Sequence, residues 1–240
     1  MLYPFVSLVI PCYNEAERVP LLFSGLQEFQ HAWLGKMEVI LVDDGSTDAT
    51  ADYIQTHPLF IALQSEHKIH LIQQKNQGKG AALKAGVQLA KGDFVLTLDA
   101  DMATRPIELL IWLKWKQTFS TQEILIGSRE LKTSDVNDLD HRKWIGNVFN
   151  LIIQKLTHLD MQDTQCGFKL YPMAIAKPLF ENLQTTGWAH DVELLVKAKR
   201  MGCPIMEMPI TWKAIPGSKI NIWKDSIIMF FEVLRISRMK

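Results

Sequence analysis

At 240 residues the chain can bury one large core or two small ones. Lys plus Arg and Asp plus Glu balance at 26 each, so no overall field favours nucleic acid and any basic site has to be local. Cys12, Cys166 and Cys203 stand far apart, with no CxxC and no Cys/His spacing that would build a zinc site, which suits reduced thiols in a cytoplasmic compartment.

The N-terminal stretch "MLYPFVSLVIPCYNE" has no basic leader, and Pro4 and Pro11 interrupt its apolar run. Nothing in the chain approaches the roughly 18 apolar residues that span a bilayer. The expectation is a chain neither secreted by a signal nor threaded through a membrane.

Short apolar, β-branched runs then recur: "FVSLVI" (5–10), "MEVILV" (37–42), "KIHLIQ" (68–73), "DFVLTL" (93–98) and "EILIG" (123–127). Helix-like stretches at 16–33, 47–57, 80–91 and 106–117 separate them. Continuous apolar strands alternating with helices predict an α/β fold, with a mostly parallel sheet flanked by helices and a Rossmann-like first half. The second half predicts a helix over about 141–157, a helix through "HDVELLVKAKRMG" closed by Gly202, a strand "IMEMPITW" and an amphipathic tail. No linker or repeat divides the chain. One domain over 1–240 is expected, with a nucleotide half to about 128 and an acceptor half from about 129.

Polar residues gather where strands end: "PCYNE", "DDGSTD", "NQGKG" and "DADMAT". In open α/β sheets ligands bind beyond the carboxyl ends of the strands, so these loops should converge on one crevice. Asp99 and Asp101 follow a buried strand two residues apart. Asp101 or Thr104 can cap the helix near Pro106, or the two carboxylates can hold Mg²⁺ or Mn²⁺ together with phosphate oxygens. Asp43, Asp44 and Asp48 can shape a turn, or the first two can accept hydrogen bonds from a base or ribose. GxGxxG, the P-loop pattern and HExxH are all absent, so hydride transfer and P-loop phosphoryl transfer lose their main support.

Taken in order, "SLVIPCYNEAERV", "EVILVDDGSTDAT", "NQGKGAALKAG" and "DADMAT" resemble glycosyltransferase family 2, whose members have the GT-A fold. "DTQCGFKLY" (163–171), "WAHDVELL" (188–195) and "GSK" (217–219) narrow the resemblance to the dolichyl-phosphate β-glucosyltransferases and related polyprenyl-phosphate glycosyltransferases. The resemblance implies that Pro11, Tyr13, Glu15, Asp43 and Asp44 form the nucleotide pocket. It implies that Asp99, Ala100 and Asp101 serve the diphosphate and metal, and that Arg129, Lys213 and Lys219 face the acceptor or donor phosphates. Mannose synthases commonly carry Gln where this chain has Ala103, which favours glucose over mannose.

The implied reaction moves glucose from UDP-glucose to a polyprenyl phosphate by inverting displacement. A phosphate monoester is largely dianionic near pH 7, so a strong general base is hardly needed. Asp163 and Asp191 are the candidates if one acts, Asp191 being equally placed to cap its helix. The tail sets Trp223, Ile227, Phe230, Phe231 and Leu234 at helical spacing beside Lys224, Arg235, Arg238 and Lys240. That stripe reads either as a core-packed helix or as peripheral contact with the cytoplasmic membrane face. A transferase with a saccharide or protein acceptor, a nucleotidyltransferase and a non-catalytic nucleotide-sugar binder are the rival readings.

Overall fold

Strands without polar alternation need cover on both faces, and the computed structural model, which describes residues 2–137, 150–215 and 222–239, supplies it. The first half alternates as expected: β1 (Val6–Cys12), α1 (Val19–Ala32), β2 (Met37–Asp43), α2 (Thr50–Thr56), α3 (Pro58–Ser65), β3 (Ile69–Gln73), α4 (Lys79–Leu89), β4 (Phe94–Thr97), α5 (Glu108–Lys116) and β5 (Ile124–Ser128). There follow β6 (Asp135–Asn137), α6 (150–157), β7 (Lys169–Pro172), α7 (Met173–Glu181), α8 (His190–Arg200), β8 (Ile205–Pro209), β9 (Thr211–Lys213) and α9 (Ile222–Ser237). The early part of the helix expected over 141–157 lies outside the described residues.

Seven strands form one sheet in the order β3-β2-β1-β4-β7-β5-β8. β1 pairs in parallel with β2 and β4, β2 with β3, and β5 with β8. β7 is inserted between β4 and β5 and runs antiparallel to both. Every residue of β2, β4 and β5 is buried, whereas β3 at the edge is only partly covered. Leu8, Ile10, Phe29, Trp112 and Phe168 belong to one core layer. Val9, Ile40, Val87, Tyr171 and Ile236 belong to the other.

Three local expectations need revision. "IMEMPITW" is not one strand: β8 ends at Pro209 in the large sheet, and β9 pairs with β6 in a separate two-stranded sheet. Pro209 has no N–H to continue a ladder. The helices α3 and α7 were not expected: both are short and each carries a proline, Pro58 at the start of α3 and Pro178 inside α7. Gly202 does close α8, with φ +70° and its N–H donated to Lys199 O at 3.0 Å.

The tail answers its two readings unevenly. α9 packs on the core through Val233 and Ile236, which are fully buried; of the stripe picked out in the sequence Leu234 is half-buried, and the side chain of Trp223 lies outside the described residues. Ile227 and Phe231 remain 59% and 64% exposed, and Phe230 is exposed as well. Among the described residues, no helix is long and apolar enough to cross a membrane.

Candidate active site

Parallel pairing sets Cys12 beside Asp43 and brings the carboxyl ends of β1, β2 and β4 to one edge. There the loops after β1, β2, β3 and β4, with Gly187 and Trp188 before α8, line a cavity of about 420 Å³. That size suits a small-molecule ligand. The loops after β1 and β2 are clipped together. Asn14 accepts the Thr47 N–H at 2.8 Å and donates its own N–H to Ser46 Oγ at 2.9 Å, while Glu15 donates its N–H to Thr50 Oγ1 at 2.7 Å.

Asp44 lines the cavity and organises it. Its carboxylate accepts Gln74 Nε2 at 2.7 Å, Gln77 N–H at 3.0 Å and Gly78 N–H at 2.7 Å, so it fixes the loop after β3. Gly78 sits at φ +103°, and a Cβ there would come within 2.5 Å of Thr186 O. Only glycine fits that approach. Of its two readings Asp43 shows the turn: it is buried, outside the residues that line the cavity, and accepts the Ser46 N–H at 3.1 Å. Pro11, Tyr13, Glu15, Ala100, Asp99 and Asp101 all line the cavity as expected.

Asp99 Oδ1 lies 2.6 Å from Lys79 Nζ, and Lys79 sits 5.7 Å from the Trp188 ring centroid. A Cβ on Gly167 would fall 2.5 Å from Asp99 Oδ2, so that glycine leaves the carboxylate room. Asp101 accepts the Ala103 N–H at 3.0 Å. Burial, then the neighbouring Asp99 charge, push its pKa up. Two adjacent carboxylates of which one resists ionisation form an environment that a divalent cation would relieve. Among the described residues no third His, Cys, Asp or Glu completes a metal cluster with them. Two carboxylates with open positions for phosphate oxygens are nevertheless a donor set suited to Mg²⁺ or Mn²⁺.

On the far side of Asp99 a smaller cavity of about 40 Å³ is lined by Ala103, Thr104, Arg129, Gln165 and Trp212. Arg129 lies over Trp212, 5.8 Å from its ring centroid. Asp163 fixes Arg129: Nε and Nη2 donate to its two oxygens at 2.7 and 3.0 Å, and the Arg129 N–H adds a third bond at 3.0 Å. Asp163 also accepts the Gln165 N–H at 3.1 Å. Burial alone would raise its pKa, but the Arg129 guanidinium holds it below the ordinary value. A buried carboxylate so engaged is a poor proton acceptor, and its bonds hold the Arg129 side chain in place. Among the described residues Thr104 Oγ1, buried at this cavity, has no hydrogen-bond partner.

Asp191 is likewise unsuited to be a base. It is buried, outside the cavity lining, 2.5 Å from the fully buried Lys169 Nζ and 3.4 Å from His190 Nε2. Burial raises its pKa, but His190, Lys169 and Lys79 together outweigh that and hold it low. It is not the cap either: the N-cap of α8 is Ala189, and Asp191 falls in the first turn. Lys213 is exposed on β9 and lines neither cavity, although its N–H holds Ala103 O at 2.9 Å. Lys219 lies outside the described residues. Sequence reasoning passed over Lys79, Trp188, Thr104 and Gln165. For Lys79 the available signal was its place between Gly78 and Gly80 in a strand-end loop.

A mostly parallel sheet whose strand ends enclose a nucleotide-sized cleft above paired aspartates defines a GT-A glycosyltransferase. The sequence profile of Glycosyl transferase family 2 matches residues 7–180, and the chain belongs to that family. It is 33% identical over 245 residues to dolichyl-phosphate β-glucosyltransferase of Dictyostelium discoideum, covering 97% of this chain and 73% of that one. The Saccharomyces cerevisiae protein of the same name is 35% identical, over 94% of this chain and 72% of its own. The Homo sapiens protein is 33% identical, over 90% and 69%. Among solved structures, Mycobacterium tuberculosis glucosyl-3-phosphoglycerate synthase in complex with Mn²⁺, UDP and phosphoglyceric acid superposes with a TM-score of 0.71, covering 99% of this chain and 80% of that one. At 16% identity it supports the fold alone.

Proposed function

We propose that this protein is an inverting hexosyltransferase that moves glucose from UDP-glucose to a polyprenyl phosphate, giving the β-linked glycosyl phosphate and UDP. The observation that carries the reading is the pair of cavities meeting at Asp99: a nucleotide-sized cleft on one side, and a small cavity headed by an oriented arginine on the other. The names and 32–35% identity of the curated relatives support glucose and dolichyl phosphate.

In this reading the loop held by Asp44 receives the nucleoside, and Lys79 faces the diphosphate. Asp99 and Asp101 would hold Mg²⁺ or Mn²⁺, which neutralises charge developing on the leaving diphosphate. Arg129, held flat by Asp163 and Trp212, presents its remaining donor edge to the acceptor phosphate. That phosphate is already a dianion at neutral pH and needs no proton removed, which agrees with two aspartates that are both ion-paired. Orientation and leaving-group stabilisation then account for the rate. The exposed apolar face of α9 is the surface we assign to peripheral membrane contact, where a lipid acceptor would be met.

The test is transfer from labelled UDP-glucose and GDP-mannose to short and long polyprenyl phosphates, with Mg²⁺, Mn²⁺ or chelator. Metal-dependent, lipid-extractable label from UDP-glucose is expected. Label appearing only on saccharide acceptors, or only from GDP-mannose, would overturn the acceptor or the donor assignment respectively.

A further inference from the structure

We infer that Lys79 is an exchangeable counter-ion: it occupies Asp99 in the donor-free protein and turns to the donor's diphosphate as a divalent cation takes its place. The inference rests on the reading of Asp99 and Asp101 as metal ligands. It adds that metal and donor enter this site as a coupled pair.

The geometry sets the two cations in competition. Lys79 Nζ is 2.6 Å from Asp99 Oδ1; the lysine side chain is 17% exposed and the carboxylate 41%, so the ammonium is shielded while the carboxylate stays open to a second cation from the cleft. A divalent ion on the same carboxylate would be repelled by that ammonium. A lysine side chain carries its positive charge throughout the neutral range. The lysine cannot withdraw with its backbone. The Gly78 N–H is held by Asp44 at 2.7 Å and the Gly80 N–H by Thr186 O at 2.7 Å, which clamps the residue on both sides. What remains movable is its four-carbon stem. The cleft that Lys79 lines is also lined by Asp99 and Asp101, so a diphosphate bound there offers the ammonium a second anion. Trp188, 5.7 Å away, gives the stem an aromatic face along which to turn.

The consequence has an unusual sign. Removing Lys79 should strengthen metal binding to the nucleotide-free protein while it weakens nucleotide binding without metal. By linkage, metal should raise UDP affinity by the factor by which UDP raises metal affinity.

The experiment titrates Mn²⁺ by electron paramagnetic resonance, and UDP in chelator by calorimetry, into the full chain and its Lys79→Met, Lys79→Arg and Asp101→Asn variants. Lys79→Met should bind Mn²⁺ about tenfold or more tightly than wild type without nucleotide, the scale on which one charge at 4–6 Å alters a carboxylate's affinity for a cation. Its UDP affinity in chelator should fall by about tenfold. Lys79→Arg, which keeps the charge, should bind Mn²⁺ like wild type. General damage to the pocket would weaken both ligands, so the opposed signs separate exchange from misfolding. Unchanged or weaker Mn²⁺ binding in Lys79→Met, with Asp101→Asn clearly weakened, overturns the exchange. Unchanged Mn²⁺ binding in Asp101→Asn overturns the metal reading beneath it.

Discussion

Replacing Asp163 by Asn keeps the volume and removes the charge that aims Arg129. One Asn oxygen can still accept Arg129 N–H and Nε, which share Oδ2 at 3.0 and 2.7 Å. The new NH₂ then faces Arg129 Nη2 and Gln165 N–H, both donors that bonded to Oδ1 at 3.0 and 3.1 Å. The change therefore loses two charge-assisted bonds to the carboxylate, each at the low end of about 1.5–3 kcal/mol because the guanidinium is partly exposed. A total of about 3 kcal/mol is a large share of the usual 5–15 kcal/mol of a folded domain, but leaves it folded. Urea unfolding at neutral pH should show that loss. The folded pKa of Asp163 lies below its ordinary 3.8, so its contribution is complete above that value and fades as the pH falls through the folded pKa. The gap between wild type and variant should therefore be full at neutral pH and close only in acid. Turnover to lipid phosphate should fall at least tenfold while slow donor hydrolysis is spared. Adding Arg129→Ala should cost little more, because the two residues act together. A neutral-pH stability equal to wild type, or fully additive losses in the double variant, would refute the positioning role.

Asp101→Asn should abolish metal-stimulated turnover with an unchanged circular dichroism spectrum, and wild-type rates at ordinary Mg²⁺ would remove Asp101 from the metal site. Gly80→Ala would place a Cβ 2.6 Å from Thr185 O and 2.7 Å from His190 Cβ. It should cost about 1–3 kcal/mol in urea unfolding and weaken UDP binding, since both neighbours belong to segments that cannot simply step aside. Replacing Ile227 and Phe231 together by Ser should leave stability within about 0.5 kcal/mol per site, because both side chains face solvent. The same change should reduce co-sedimentation with anionic liposomes, and undiminished co-sedimentation would dismiss α9 as the membrane contact.

What the sequence disclosed, it disclosed through period and position. Buried strands have a simple signature, so β1 to β5 were placed within a residue or two, and the loops at their ends converged as expected. Asp99 and Asp101 stood out because they follow a buried strand, and Arg129 only through the family resemblance; the structure sets all three around adjoining cavities. Their partners were not legible, since the pairing of Lys79 with Asp99 spans 20 residues and that of Arg129 with Asp163 spans 34, and no local pattern encodes such a contact. The surroundings of Asp163 and Asp191 were hidden for the same reason: an aspartate reads alike in sequence whether it stands open or is paired with a cation. In α9 the amphipathic period was correct, but the sequence could not say which of its two apolar faces met the core.

The place of β7 bears on how such a protein can change. It contributes the central partner of two strands that come from the first half, through Val95 with Tyr171 and Leu125 with Leu170. A strand from the second half thus closes a seam between two strands of the first, and without it β4 and the facing side of β5 would be raw edges. Recombination that joins halves from two parents has to match that seam strand for strand. Exchange of the loops at the strand ends escapes the requirement, so this architecture changes more readily loop by loop than by trading one half of the molecule for another.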